Sequence, residues 1–155
     1  MKLRLIAVGT KMPTWVETGY LEYAKRLPPG FALHLLEIPA EKRLKQTNIA
    51  RITEKEGEKI LQAIHPGSLV IALDVKGKSF TTEQLAHAMQ NWRDENRNVD
   101  ILVGGPDGLA TACLRKAQQK WSLSALTLPH PLVRILVAEQ IYRAFSILHN
   151  HPYHR

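Results

Sequence analysis

The last third of the chain most constrains its fold, because it contains a helix that is apolar on nearly every side. Residues 131–148 carry charge only at Arg134, Glu139 and Arg143. A helix that is apolar all round is buried all round. Since a chain of 155 residues offers little room to cover such a helix, we expect a second copy of the chain to cover part of it.

Strand patterns and helix patterns alternate along the whole chain. The predicted strands comprise residues 2–8, 31–38, 69–74, 99–103 and 123–128. The predicted helices comprise residues 14–26, 47–63, 81–96, a short segment ending near 118, and a final helix from Pro131. Capping-box patterns at residues 14–17 and 81–84 mark two of the helix starts. The alternation predicts one α/β domain over residues 1–155, with a mainly parallel sheet flanked by helices.

The amino-acid composition indicates which partners and which cellular compartment to expect. Lys and Arg number 21 against 14 Asp and Glu, a formal net charge of +7 that favours RNA, DNA or an acidic membrane surface. Cys113 is the only cysteine, which fits a reducing compartment. We see no signal peptide and no span of the ~20 apolar residues that a membrane helix needs. We therefore expect a cytoplasmic protein with no membrane attachment.

Ligands of open α/β sheets bind beyond the carboxyl ends of the strands. Here the three ends to consider follow Asp74, Val103 and Leu128. After Val103 comes Gly-Gly-Pro-Asp-Gly, in which paired glycines let the backbone lie flat against a ligand, and Asp107 is placed to cap the next helix. The alternative is a sharp turn with no ligand.

The segment Ala-Leu-Asp-Val-Lys-Gly-Lys-Ser at residues 72–79 fits a permissive form of the phosphate-binding P-loop. We disfavour ATP or GTP binding, because residues 72–74 have a strand pattern and the Asp74 carboxylate would repel phosphate. The alternative is a tight turn at Gly77 with Lys78 in solvent.

Residues 123–128 combine apolar, small and hydroxyl side chains, which suits either an inner strand or the wall of an adenosine site. His130, between two prolines, is placed to be the N-cap of the final helix. On that helix Glu139 and Arg143 are spaced to form an ion pair, and Arg134 and Arg143 are open as contacts of an anionic RNA.

The tail is rich in histidine, with His149, His151 and His154 in an H-x-H-x-x-H pattern. No Cys or carboxylate lies near them in sequence, so we predict no metal site. Tyr153 offers a ring for stacking, and His154 is suited to take a proton near neutral pH. The alternative for the whole tail is a frayed terminus.

Together these segments resemble the RlmH family of bacterial SPOUT-class methyltransferases, which modify a pseudouridine in large-subunit ribosomal RNA. The resemblance covers the whole chain and rests on the N-terminal segment (residues 1–27), Leu73-Asp74, residues 103–108, residues 121–147 and the ending Asn-His-Pro-Tyr-His-Arg. One departure is Asp107, which stands where Glu is frequent in the family.

The resemblance implies a C-terminal trefoil knot, a homodimer and S-adenosylmethionine as methyl donor. It places the donor against Leu73, Gly104, Gly105, Leu123, Ser124, Ala125, Leu126, Thr127 and Leu128. The implied substrate is a pseudouridine in helix 69 of 23S ribosomal RNA, methylated at ring nitrogen 3 on the assembled ribosome.

Methylation of a ring nitrogen requires that its proton be removed and the resulting anion be stabilised. We expect His154 to act as the base or to orient it, with His130 as a weaker rival for the base. Tyr153 would stack on the nucleobase, and Arg143 or Arg155 would steady the anionic ring or a phosphate. Further RNA contacts are expected at Lys42, Arg43, Lys45, Arg134 and Arg155, and also at Arg115, Lys116 and Lys120. The competing classes are a ribosome-binding protein without catalysis and a P-loop nucleotide hydrolase.

Overall fold

A computed structural model describes residues 1–155 and contains one five-stranded sheet in which every neighbouring pair of strands is parallel. The strands are β1 Leu3–Val8, β2 Leu33–Ile38, β3 Leu69–Ser79, β4 Val99–Val103 and β5 Gln119–Ser122. Their order in the sheet is β2-β1-β4-β3-β5. The predicted α/β fold with a mainly parallel sheet is confirmed.

Five helices connect the strands and cover both faces of the sheet. They are α1 Thr14–Ala24, α2 Ile49–Ala63, α3 Thr82–Asp94, α4 Thr111–Lys116 and α5 His130–Leu148. Two 3-10 turns, Pro29–Phe31 and Pro152–His154, precede β2 and end the chain. Helix α5 packs against both α1 and α3, and α2 packs against α4.

Alternate residues of the central strands belong to two separate hydrophobic cores, one on each face of the sheet, because successive side chains of a strand point to opposite faces. Leu3 and Leu5 of β1 belong to the larger core beneath α1, α3 and α5. Ile6 and Val8 belong to the smaller core, which Ile60 of α2 helps to close. Because both faces are covered, the strands are apolar without strict alternation, as is usual in parallel sheets.

Helix α5 has no exposed residue along its whole length. Its buried side faces the larger core, and one stripe of the helix is only half-buried. That stripe contains Leu132, Leu136, Glu139 and Arg143, which recur at spacings of three or four residues and so share one face. No helix of the chain is both long enough and apolar enough to cross a membrane.

The predicted last strand at residues 123–128 is wrong, because β5 ends at Ser122 and these residues form a loop. Serine hydroxyls replace the strand ladder with local bonds: Ser122 Oγ donates to the carbonyl oxygen of Ser124 (3.0 Å), and Ser124 Oγ accepts from the amide of Leu126 (2.9 Å). Side chains of this type commonly compete with the ladder. Leu126 is 74% exposed as a result.

Strand β3 continues past Asp74 to Ser79, so both interpretations of residues 72–79, the P-loop and the turn at Gly77, are wrong. The strand bulges between Leu73 and Lys78 while it stays paired with β5. Gly77 permits this pairing, because a Cβ there would lie 2.7 Å from backbone atoms of Lys120 and Trp121. The glycine in the P-loop pattern thus serves close strand packing.

Helix starts were predicted correctly only in part. The capping box at Thr81 and Gln84 is confirmed by bonds of 2.8 and 3.1 Å. The box at residues 14–17 is wrong, since the helix already begins at Thr14 and Pro13 stands at its N-cap. Asp107 does not cap α4, whose N-cap is Ala110. The final helix begins at His130, one residue earlier than predicted, with Pro129 at its N-cap.

Candidate functional site

The bulge of β3, the carboxyl end of β4 and the loop after β5 enclose a cleft of about 710 Å³. This volume lies within the range of small-molecule sites. The walls come from residues 73–75, 103–109, 122–124 and 126–131, together with Leu114 and Val133. The three segments chosen from the sequence therefore meet here, although only Val103 is the end of a strand: Asp74 lies at the bulge of β3, and residues 123–128 form a loop.

Eight of the nine residues predicted to contact a cofactor line this cleft: Leu73, Gly104, Gly105, Leu123, Ser124, Leu126, Thr127 and Leu128. Ala125 does not line it. The lining is mixed, with leucine side chains beside backbone groups of the glycine loop and the hydroxyl of Thr127. Such a surface suits a ligand that has a flat apolar part and a few polar atoms.

The glycine loop is a tight turn closed on itself. Gly108 donates its amide to the carbonyl of Gly105 (3.0 Å) and has φ of +81°, a backbone conformation that favours glycine. A Cβ at Gly104 would collide with the backbone of Gly108. The absence of a side chain at Gly104 is therefore required for this turn, which presents bare backbone to the cleft.

Arg43 holds the glycine loop to the neighbouring helix. Its Nε donates to Asp107 (2.8 Å), and its two terminal nitrogens donate to Glu56 on α2 (2.9 and 3.1 Å). Glu56 is only 1% exposed, so this arginine compensates a buried carboxylate. The guanidinium predicted to contact RNA is thus engaged within the chain, whereas Lys42 and Lys45 on either side of it are exposed.

Arg134 is also engaged internally, because it is 1% exposed. Its Nη1 donates to Glu37 (2.6 Å), and its Nη2 donates to the carbonyls of Gly9 (2.7 Å) and Val8 (3.3 Å). Its Nε has no partner but is buried, so a phosphate in solvent cannot reach this guanidinium. We therefore remove Arg134 from the expected RNA contacts.

His130 lies in the wall of the cleft and carries an unsatisfied polar atom. Its Nδ1 is buried and has no hydrogen-bond partner. Burial lowers the pKa of this imidazole, and the nearby Arg134 and Arg43 guanidiniums lower it further, so the ring is neutral at pH 7. A buried nitrogen without a partner beside a cleft is available to a ligand.

The tail folds back on the C-terminal half of α5. Tyr153 donates its hydroxyl to Glu139 (3.0 Å), which also accepts from Arg143 at 2.6 and 2.8 Å. The Arg143 guanidinium lies 5.0 Å from the centre of the Tyr153 ring, and Arg26 lies 5.9 Å from it. Burial and the Glu139 carboxylate raise the pKa of Tyr153 to about 12. The tail is consequently docked and Tyr153 stays protonated at neutral pH.

The three tail histidines have separate surroundings. His154 Nδ1 lies 2.8 Å from Ser146 Oγ, and His149 Nδ1 lies 3.0 Å from the carbonyl oxygen of Phe145. His151 Nδ1 accepts from the amide of Tyr153 (3.3 Å). The structure brings no three His, Cys, Asp or Glu side chains together in a metal-binding arrangement.

The cleft and the tail lie at opposite ends of the same helix. The cleft is lined by residues up to Val133 at the start of α5, and the tail follows Leu148 at its end. The tail folds back along the helix, so that His154 lies 2.8 Å from Ser146, which is about 20 Å along α5 from Val133 at 1.5 Å per residue. Within one chain the predicted base and the predicted cofactor contacts are therefore too far apart to act together.

Several residues of the site were missed by sequence reasoning. Glu37 and Glu56 pair with buried or half-buried arginines, and their partners lie far along the chain. Ser146 faces His154 across the final turn of the chain. Of these residues, only Ser146 could be connected with the site from the sequence, because it follows Arg143 by three residues and so shares its face of α5.

Comparisons with known proteins agree on one family. The sequence matches the family described as "Predicted SPOUT methyltransferase" over residues 1–154. It is 57% identical over 155 residues, 100% of both chains, to "Ribosomal RNA large subunit methyltransferase H" from Marinomonas sp. (strain MWYL1).

Two more distant solved structures share the fold. One is a probable methylase family protein from Haemophilus influenzae Rd KW20, with a TM-score of 0.58 at 15% identity over 99% of this chain and 70% of that one. The other is a probable methyltransferase from Bordetella pertussis Tohama I, with a TM-score of 0.58 at 17% identity over 92% and 93% of the two chains.

The internal role of Arg43 leads to a prediction about stability. Arg43→Ala leaves the buried carboxylate of Glu56 without a charged partner and with only the amide of Glu41 as a donor, so we expect the free energy of unfolding to fall by about 3 kcal/mol. The adjacent Lys42→Ala is the matched control and should change it by less than about 0.5 kcal/mol. Urea unfolding of both variants measures the difference. Equal, small effects would contradict the internal role of Arg43.

Proposed function

The chain belongs to the SPOUT methyltransferase family, and we propose that it methylates ring nitrogen 3 of a pseudouridine in helix 69 of 23S ribosomal RNA. We propose S-adenosylmethionine as the methyl donor and the assembled ribosome as the form of the substrate, which places the reaction in the cytoplasm. The observation that supports the proposal is the cleft, which is lined by eight of the nine cofactor contacts that the family resemblance implies.

The cleft fits S-adenosylmethionine in size and in chemistry. Its volume of about 710 Å³ accommodates a nucleoside with its amino-acid arm. Leu73, Leu123 and Leu128 offer apolar surface to a purine, and Gly104 lets backbone groups approach the donor closely. His130 Nδ1 offers a buried polar atom without a partner. When bound, the donor supplies an electrophilic methyl group on a sulfonium sulfur; no metal is needed for that transfer.

The remaining task of the protein is to manage the proton on ring nitrogen 3 and the charge that its loss creates. We assign the proton to His154, the tail histidine whose imidazole is held in place by the buried hydroxyl of Ser146. Arg155 is exposed and makes no side-chain bond in the chain, so it is free to face the anionic ring or a phosphate. Arg143 is partly neutralised by Glu139 and serves to hold the tail as well. Stacking by Tyr153 stays a prediction.

A homodimer would unite the two halves of the site. Because His154 lies beside Ser146, about 20 Å along α5 from Val133 in the cleft of its own chain, the His154 that completes a cleft would come from the partner. The half-buried stripe of α5 around Leu132 and Leu136 offers an apolar contact surface beside α1. Trp15 on α1 is 60% exposed and lies one turn before Gly19, which packs on Ile135 of α5. The trefoil knot implied by the resemblance stays a prediction.

RNA contacts are proposed at the exposed basic side chains alone. These are Lys42, Lys45, Arg115, Lys116, Lys120 and Arg155. Lys42 and Lys45 flank the arginine that holds the glycine loop, so RNA bound there would lie close to the cleft. Contacts with phosphates release counterions, and binding should therefore weaken steeply with salt.

The hypothesis of a P-loop nucleotide hydrolase has no structural support, because residues 72–79 belong to strand β3 and do not form a phosphate-binding loop. The ribosome-binding protein without catalysis differs from our proposal in one respect: it has no need of a methyl donor.

Calorimetric titration with S-adenosylmethionine separates these classes. We expect the protein to bind the donor and to show no heat of binding with Mg-ATP. Gly104→Ala should lower the affinity at least about tenfold, because the turn that shapes the cleft cannot form around a side chain. Gly30→Ala is the control, since a Cβ at Gly30 meets no atom within 4 Å. Failure of the unaltered protein to bind the donor would contradict the proposal.

The shared site makes a second prediction, testable with purified heterodimers. One subunit carries Gly104→Ala with an intact tail, and the other lacks residues 153–155 but has an intact cleft. Each homodimer should be inactive toward ribosomes. The heterodimer contains one complete site and should regain about half of the wild-type rate, as expected when the two sites of a symmetric dimer are equivalent. A heterodimer as inactive as its parents would mean that tail and cleft act within one chain.

A further inference from the structure

Ser146 is a fully buried polar residue of α5 that the chemistry described so far does not use. Its exposure is 0%, although it lies two residues from the end of the helix. Its hydroxyl oxygen lies 2.9 Å from the carbonyl oxygen of His151 and 2.8 Å from Nδ1 of His154. One hydroxyl thus contacts two groups of the tail at once.

A count of protons fixes the direction of both bonds. A serine hydroxyl carries a single hydrogen, and a carbonyl oxygen can only accept. The hydroxyl therefore donates to the carbonyl of His151 and must accept from Nδ1 of His154. That second bond exists only if Nδ1 carries a proton. Neutral His154 is then the Nδ1–H tautomer, and its Nε2, which makes no hydrogen bond in the chain, presents a lone pair.

We propose that Ser146 is a positioning residue that keeps His154 in the Nδ1–H tautomer, with Nε2 turned into the proton acceptor of the reaction. The inference rests on the proposed function, in which His154 takes the proton from ring nitrogen 3. In that step the N–H bond would break, its electron pair would stay on the ring nitrogen, and the proton would form an N–H bond at Nε2. The ring nitrogen would use that pair to bond the methyl carbon while the carbon–sulfur bond of the donor breaks and its electron pair goes to sulfur. The resulting imidazolium keeps Nδ1–H bonded to Ser146.

The surrounding backbone holds this geometry. The amide of His151 donates to the carbonyl of Ser146 (2.9 Å), which closes the turn after α5. Asn150 makes that turn possible by adopting a φ of +53°, a left-handed conformation that asparagine tolerates better than most residues. The following 3-10 turn, Pro152–His154, places the imidazole over the hydroxyl. The orientation of His154 is consequently set by a short, closed loop and does not depend on bound substrate.

The tautomer can be read directly from the nitrogen chemical shifts of the imidazole rings, by proton–nitrogen correlation spectra of the full-length protein. The spectrum is recorded at about pH 8, above the ordinary pKa of histidine, and a His154→Gln variant assigns the signals. We expect a protonated Nδ1 and a bare Nε2 at His154. In Ser146→Ala we expect the signals to move toward a mixture of the two tautomers. Nε2–H in the unaltered protein, or an unchanged spectrum in Ser146→Ala, would overturn the proposal.

Kinetics then connect the tautomer to the reaction. Ser146→Ala should lower kcat about tenfold or more with little change in KM. In the Nε2–H tautomer, His154 cannot accept the proton at Nε2 and so does not contribute to the rate as a base. Ser146→Thr, which keeps the hydroxyl, should recover both the tautomer and the rate. Ser68→Ala is the matched control, because Ser68 is another buried serine but its hydroxyl has no partner. An equal loss of rate in Ser68→Ala would assign the effect to stability alone.

The two levels of the proposal fail in different ways. If the spectrum shows Nδ1–H at His154 but His154→Gln methylates RNA at the full rate, the proposed role of His154 as the base is wrong, and with it the use of the tautomer. If His154→Gln is inactive but the unaltered protein shows Nε2–H, His154 acts in the reaction and only the role of Ser146 is overturned.

Discussion

The burial of α5 is the constraint on which the rest of the structure depends. A helix with three charged residues in its whole length has to be covered, and α1 and α3 cover two of its sides over the sheet. Arg134, its one deeply buried charged residue, also holds the helix in place, because its guanidinium donates hydrogen bonds to Glu37 and to the carbonyls at the end of β1. Breaking such a bond network in the interior costs several kcal/mol, so α5 has one defined position relative to the strand ends.

That fixed position determines where chemistry is possible. The start of α5 closes the cleft, and the tail docks on the other half of the helix, with His154 beside Ser146, about 20 Å from Val133. Charge pairs keep each end ordered: Arg43 with Glu56 and Asp107 at the glycine loop, and Glu139 with Arg143 and Tyr153 at the tail. In the proposed dimer, the half-buried stripe of α5 between them would be the surface through which a second subunit brings its tail to each cleft. The proposed oligomeric state and the proposed site would then depend on the same helix.

Sequence patterns predicted the architecture well where hydrophobic periodicity decides it. The buried run of β4 and the capping box of α3 were located within a residue or two, since local chemistry is sufficient there. The strand predicted at residues 123–128 failed because serine hydroxyls form local bonds that periodicity does not detect. β3 was predicted too short because Gly77 is typical of a turn but here allows close packing on β5. Cofactor contacts were predicted from a family resemblance. The long-range internal partners of Arg43 and Arg134, in contrast, lie 13 to 126 residues away along the chain and can be identified only from the fold.

The most direct test of the central claim is to follow the methyl group itself. Purified 70S ribosomes from cells that lack this activity are incubated with the protein and isotopically labelled S-adenosylmethionine, and the ribosomal RNA is digested and analysed by mass spectrometry. The account predicts label in a single nucleoside, a pseudouridine methylated at ring nitrogen 3, within the fragment that contains helix 69 of 23S RNA. Label in another nucleoside or fragment, or no transfer by a protein that binds the donor, would contradict it.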